Sequence, residues 1–430
     1  MSNVSDLLRD ACIPCFYRAE YAIEKNCISD AAEELVRSLT RKGTLERIHP
    51  NETVAITAGS REISHLPEML SALIGALKAR GAQPFIVPAM GSHGGATAEG
   101  QEAMLAGFGI REESMGVPIR SCMETVCIGE TPSGIPVHVD KWALSADHII
   151  PMGRIKPHTD FKGAFESGLM KMMAIGLGKQ HGASVCHKLG MPDMSKNVLA
   201  IGREILARCR VPFGIGIIEN AFHGTWKIAA IPAECIEEEE PLLLEDAKKL
   251  VPVVPFDKVD IIVCERMGKD LSGTGMDSNV IGRSASLGIS RPFAERIGVF
   301  ALTEKSHGNS NGMGLADAVT EAFFRNVAFD QTYPNAITSA ETTAVKLPAV
   351  MPSDELCVKF LIKTCTQEGK FGSRIVWIRD TLSVDHFYVS EGLFCEEAER
   401  DPALKLHPQP YRAAFDASGT FTGFREENSI

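Results

Sequence analysis

The sequence predicts an α/β fold: two α/β domains with largely parallel sheets and an interdomain cleft. Three observations carry this reading. Short apolar runs bounded by glycine or proline alternate with segments of helical periodicity, the order that yields strands joined by crossover helices. That rhythm restarts after the proline-punctuated stretch LVPVVPFD at 250–257, which sets a seam between a domain of residues 1–252 and one of 253–430. The 430 residues, 44% apolar and 23% charged, are enough for more than one buried core.

The elements follow in chain order. Residues 52–59 (ETVAITAG) read as a buried strand. A helix is expected over 66–80, where Leu66, Met69, Leu70, Leu73, Ile74 and Leu77 recur on one face and Gly81 ends the run. A second strand spans 83–90, and the loop GSHGGAT follows at its carboxyl end. In open α/β sheets ligands sit at that edge. Thr97 and Glu99 look like a cap and a first-turn acid of the next helix. Further strands are expected at 135–140, 147–152, 212–218 and 226–231, and helices at 165–177, 195–209 and 236–250. The acidic run IEEEE at 236–240 suits the positive end of the last helix and reads as a solvated terminus. The second domain offers strands at 259–265, 298–303 and 374–379, helices at 315–324 and 354–365, and a short edge strand at 410–416.

Bulk properties exclude some functions. A net charge of −11 argues against broad nucleic-acid binding. The longest apolar runs are strand-sized, whereas a bilayer span needs about 20 residues, and the N-terminus lacks the pattern of a signal peptide. A cytoplasmic protein without membrane contact is expected, with oligomerisation open. Twelve cysteines lie without rhythm, and the lone CxxC at Cys12 and Cys15 has no second pair, so reduced thiols are expected rather than a zinc centre.

Several residues carry possible chemistry. His93 in GSHGG and His158 in KPHTD each follow a strand with glycine or proline nearby. Imidazole moves protons near neutral pH, and two facing one substrate suit deprotonation of either enantiomer. Each could equally hold its own loop by bonding backbone. Lys171 lies among Leu169, Met170, Met172 and Met173. It is either a snorkelling surface lysine or a partly desolvated amine able to carry a cofactor. His181, Cys186 and His187 follow in a glycine-rich stretch, a weak suggestion of ligands, and His223 is a lone candidate. Arg61 sits just past the first strand, placed for an anionic group or for plain solvent exposure. The glycine-rich segment 268–283 lacks both nucleotide fingerprints.

This set resembles the nickel-dependent lactate racemase family, the 2-hydroxyacid racemases and epimerases. The resemblance rests on GSH at 91–93, on PH at 157–158 leading into FESGLMK at 165–171, on Gly176 five residues after Lys171, and on His187 sixteen residues after it. It implies an isomerase carrying a nickel pincer nucleotide (nickel pyridinium-3,5-bisthiocarboxylic acid mononucleotide). Lys171 would bind it through a thioamide, and the metal would be held by two sulfurs, a ring carbon and His187. It also implies hydride removal from a 2-hydroxy acid and return to either face, with His93 and His158 moving the hydroxyl proton. Arg61, Ser92, Ser167 and Gly168 would line the cofactor; Arg61, Asp277, Asn279 and Arg283 would meet the substrate. The enzymes that make the cofactor are implied partners. The family's Ser-Gly-Gly here reads Ser167-Gly168-Leu169, its early aspartate and proline are missing around Arg61, and Gly282 and Ala285 stand where lactate-binding glutamine and lysine are expected. These departures favour a hydroxy acid other than lactate, such as a sugar acid. The competing readings are a non-catalytic binder of a small anion, and a zinc hydrolase using His93, His158 and His187.

Overall fold

The structure is a computed structural model and describes residues 4–289, 291–366, 369–397 and 402–427. It divides into a contiguous unit, Glu24–Val251, and a split unit made of Met1–Ile23 with Pro252–Ile430. Both are mixed α/β.

In the contiguous unit, Thr53–Ala58 is the middle strand of a parallel trio, flanked by Gln83–Pro88 and His148–Ile150. Almost every residue of the first two strands is buried, as expected when both faces of a parallel sheet are covered. The helix Leu66–Ala79 connects them and buries the six apolar residues of its periodic face. At Pro151 the chain leaves this sheet. Met152–Arg154 instead pairs in parallel with Phe213–Glu219, which forms a hairpin with Thr225–Pro232. The expected strand 147–152 is therefore two short strands in two sheets, because proline cannot donate to a ladder. The helix Ala98–Gly107 starts as read, with Thr97 Oγ1 accepting from Gly100 N at 3.0 Å.

In the split unit, nine strands of the described residues form one sheet. Ala349–Met351, Ala318–Thr320, Phe293–Leu302, Lys258–Met267 and Ile375–Ile378 run parallel in that order. His386–Ser390, Phe16–Tyr21, Leu404–Phe415 and Phe421–Glu426 continue it antiparallel. The two units part between Val251 and Pro252, and residues 1–23 group with the C-terminal stretch rather than with the unit that follows them. The cause is Phe16, fully buried with ring centroids 5.6 Å from Trp377 and 5.3 Å from Phe424. Two further expectations are corrected. Residues 315–324 hold a strand, Ala318–Thr320, before a short helix, Glu321–Arg325. Residues 410–416 lie in an inner strand, not an edge. Among the described residues no helix is long and apolar enough to cross a membrane.

Candidate active site

Parallel pairing sets the carboxyl ends of Thr53–Ala58, Gln83–Pro88 and His148–Ile150 at one edge. The chain leaves that edge towards Arg61, towards His93 and, through Met152–Arg154, towards His158. All three routes meet the segment that carries Lys171. Gly91 N donates to Gly176 O at 3.2 Å, which docks the His93 loop on it. A Cβ on Gly59 or Gly153 would stand 3.2 or 2.9 Å from Met172 Cε, so both backbones press against the residue after Lys171.

That segment differs from the single helix expected over 165–177. A short α-helical turn, Leu169–Lys171, opens into a wider π-type turn, Met172–Gly176, before the helix Lys179–Lys188. Such wider turns concentrate at functional sites. Residues 165–168 stay outside the helix: Phe165 N donates to Ser195 Oγ at 3.2 Å, and Ser167 pairs its backbone with Lys156 at 3.0 and 3.2 Å.

Lys171 is half-buried, with Nζ 5.3 Å from the Phe161 ring centroid. Among the described residues its amine makes no hydrogen bond or ion pair. Burial pushes it down to about 8; Asp160 opposes the fall, and Lys156 and Arg61 add to it. A sizeable fraction is therefore uncharged near neutral pH, the form that can react.

His158 stacks on the same Phe161, centroids 4.3 Å apart. Its Nδ1 accepts the Asp160 N–H at 3.0 Å, so the neutral ring keeps its proton on Nε2. Burial, then the charges of Lys171, Lys156 and Lys162, hold its pKa well below the ordinary histidine value. The fully buried Glu166 fixes this loop by accepting from His158 N at 2.7 Å.

His187 lies on the helix Lys179–Lys188, and its Nδ1 is buried without a hydrogen-bond partner. Burial and then Lys171 push its pKa down to about 4, so it is neutral with a lone pair available to a metal. An orphaned buried imidazole nitrogen beside an unpaired amine is what a group bound to both would satisfy, so these two residues fit the pincer nucleotide. Cys186 next to it is a buried thiol raised to about 11 by burial, which removes the suggested thiolate.

The His93 ring is exposed, and its loop is held from below. Gln101 Nε2 donates to Gly91 O at 2.9 Å and His93 O at 3.2 Å. Gln101 Oε1 in turn accepts from Lys179 Nζ at 2.9 Å. Lys179 is fully buried, donates also to Pro88 O, and pairs with Asp140 at 3.3 Å. Gly94 must be glycine: its φ is +68° and a Cβ would stand 2.6 Å from Gln101 N. Ser92 is half-buried in this loop. Arg61 is exposed, with no hydrogen-bond or ion-pair partner among the described residues.

Gly168 has a reason other than a cofactor's approach. The space of its missing Cβ is filled by Glu240 Oε1. Glu240 is the last of the four acidic residues read as a solvated terminus, and it alone of them is fully buried. Lys179 and Gln101 carry no local sign of their role, whereas Glu240 falls on the apolar face of its helix with Ile236, Leu243, Leu244 and Ala247, a signal the acidic run obscures. His181 is exposed against His138, and His223 lies in the turn joining two strands.

The remaining expected site residues lie in the split unit. Asp277 caps the turn Ser278–Ile281, accepting from Asn279 N at 2.9 Å and Asn279 Nδ2 at 2.8 Å. Arg283 is corrected from a substrate contact to a structural one. Its terminal nitrogens donate to Leu315 O, Asp317 Oδ2, Ala294 O and Glu295 O at 2.7–3.1 Å, and its Nε is buried. Among the described residues no three histidine, cysteine or acidic side chains are grouped to hold a metal.

Residues 17–198 match the model of the lactate racemase N-terminal domain. The lactate racemase apoprotein of Thermoanaerobacterium thermosaccharolyticum has a similar fold, at a TM-score of 0.51 and 15% identity, covering 86% of this chain and 99% of that one. Residues 17–198 are therefore similar to a lactate racemase N-terminal domain. A Thermotoga maritima protein structure is also similar, at a TM-score of 0.47 and 15% identity over 64% of this chain and 72% of that one. No protein of curated function matches the sequence. The family match spans Arg61, His93, His158, Lys171 and His187, and ends before Glu240, Asp277 and Arg283.

Proposed function

We propose that this protein is a racemase or epimerase of the lactate racemase family, acting at the hydroxyl-bearing carbon of a 2-hydroxy acid, with a nickel pincer nucleotide attached to Lys171. The observation that carries the reading is the pairing of an unpartnered, partly uncharged amine with an orphaned buried imidazole nitrogen. Lys171 would form the covalent link, and His187 would be the protein ligand to nickel. When bound, the nucleotide supplies the acceptor and donor of hydride.

The chain's own residues do the rest. His158 begins neutral with its proton on Nε2 and offers the substrate oxygen a hydrogen bond; to take a proton at Nε2 its own proton must first move to Nδ1, which gives up the Asp160 N–H contact. His93, on an exposed loop with a fixed backbone, is the base in the resting state. Arg61 is placed to pair with the substrate carboxylate, since no side chain among the described residues neutralises it. Gly282 and Ala285 stand where lactate-binding glutamine and lysine are expected, which favours an acid other than lactate, such as an aldonate.

The test is to express the full chain with the cofactor-making enzymes, weigh the Lys171 peptide, and offer single enantiomers of hydroxy acids and aldonates. Exchange of configuration is expected, together with a mass addition on Lys171 that Lys171→Ala abolishes. Loss of either histidine, His93→Ala or His158→Ala, is expected to lower turnover by roughly 10²–10⁴ with nickel content kept, as for other general acid–base groups. An unmodified Lys171 under these conditions refutes the assignment.

A further inference from the structure

We infer that Glu240 is the positioning residue for the Lys171 anchor, fixing it by capping the turn on which the lysine stands. This deepens the proposed role of Lys171 and rests on it for its functional meaning.

A turn of three residues, Leu169–Lys171, is too short to hold its own geometry. Its first backbone N–H groups have no partner within the helix. They find one in Glu240: Met170 N donates to Glu240 Oε2 at 3.0 Å, and the Leu169 N–H bonds the same carboxyl. Gly168, the residue before the turn, has no side chain to cap with. The carboxyl arrives from a distant helix, Ile236–Leu250, and Gly168 leaves the gap it enters.

The burial of Glu240 is otherwise hard to explain. Glu238 beside it is exposed, and Glu237 and Glu239 are half-buried in ion pairs with Arg203 and Lys42. Glu240 has only 1% of its surface exposed and, among the described residues, no charged partner, and burial pushes its pKa up to about 7 against the pull of the two backbone bonds. Burying a carboxyl this way is destabilising unless it satisfies groups that would otherwise be orphaned. The satisfied groups lie one and two residues before Lys171. On its far side the lysine continues into the wider turn gripped by Gly91, Gly59 and Gly153. The amine is therefore held at both ends of its segment, and Glu240 supplies the hold at the start.

The experiment uses the full chain produced without cofactor-making enzymes, so its outcome is independent of whether Lys171 carries a nucleotide. Trace labelling with acetic anhydride at pH 8, read by mass spectrometry, gives the Lys171 rate relative to the exposed Lys188. In Glu240→Met, which keeps the size and removes the acceptor, the rate is expected to fall at least threefold, because a loosened turn returns the amine to water and to its protonated form. Glu240→Gln, which keeps one accepting oxygen, is expected to stay within twofold of wild type. Gly168→Ala drives the carboxyl out and is expected to repeat the Met result, giving a second route should Glu240→Met fail to fold. Unchanged Lys171 labelling in folded Glu240→Met or Gly168→Ala overturns the inference. If labelling changes as stated and the co-expressed chain still carries no mass on Lys171, the positioning stands and the cofactor reading falls.

Discussion

Replacing Lys179 with methionine is expected to destabilise the contiguous unit by about 4 kcal/mol and to loosen the His93 loop at the same time. The magnitude follows from what the ammonium holds. Its removal leaves Asp140 fully buried without a counter-charge, keeping only the Ala143 N–H at 2.8 Å and a weak Cys122 thiol contact at 3.5 Å. Breaking a buried pair by deleting one partner costs roughly 3–5 kcal/mol. Pro88 O and Gln101 Oε1 also lose a donor, while methionine recovers part of the loss by filling the space. A loss of 4 kcal/mol is a large share of the 5–15 kcal/mol by which domains are typically stable, and lowers Tm by roughly 10 °C in a unit of this size. Urea denaturation gives the stability change, and hydrogen exchange of the 91–101 peptide gives the loop. Adding Asp140→Asn should return part of the stability, because the stranded charge is gone, but not the loop protection, because Gln101 stays unsupported. A loss under 1 kcal/mol, or unchanged exchange in the loop, would refute the reasoning.

Three further outcomes follow. Glu240 sets a pH dependence: its folded pKa of about 7 lies above the ordinary 4.5, so the native state holds the proton more tightly between those values. Its contribution is full below pH 4.5 and lost as pH rises through 7, at most roughly 3 kcal/mol; the stability difference between wild type and Glu240→Gln, followed by urea melts from pH 4.5 to 8, should change in that sense. In the split unit, Arg283→Met should destabilise by about 3 kcal/mol, since it strands Asp317 and three carbonyls; a variant of wild-type stability with only a raised KM would restore Arg283 to the substrate site. Finally, His187→Ala should lose nickel from the co-expressed protein, by metal analysis, while the Lys171 peptide keeps its added mass.

What was legible in the sequence is what local pattern controls. Thr53–Ala58, Leu66–Ala79 and Gln83–Pro88 were readable because each is a continuous apolar run or a periodic face with its own stop. The loops bearing Arg61, His93 and His158 were readable because they follow such strands. Long-range pairing was not: Phe16–Tyr21 takes its partners from His386–Ser390 and Leu404–Phe415, and nothing near residue 16 announces that. The three-residue strand Ala318–Thr320 was too short to interrupt a helical pattern. Glu240 was hidden for a sharper reason. Four consecutive glutamates look alike by composition; the helix period turns Glu240 inward with Ile236 and Leu243, and the gap at Gly168 receives its carboxyl.

The methionine-lined setting of Lys171 can now be weighed against its alternatives. For packing alone, leucine or methionine at 171 would fill the same space without desolvating a charge. For a surface role, the head group would reach water, yet burial against Phe161, with Lys156 and Arg61 adding to it, outweighs the favourable charge of Asp160. His187 presents the matching anomaly, a buried nitrogen lacking the partner that most buried polar atoms have. The charge of Lys171 lowers the pKa of His187 further, so the amine does not relieve the imidazole. A group that acylates the amine and accepts the imidazole lone pair removes both penalties in one event. That is the physical content of the proposed anchor, and both residues stand on a stretch of backbone clamped by Glu240, Gly91 and Lys179.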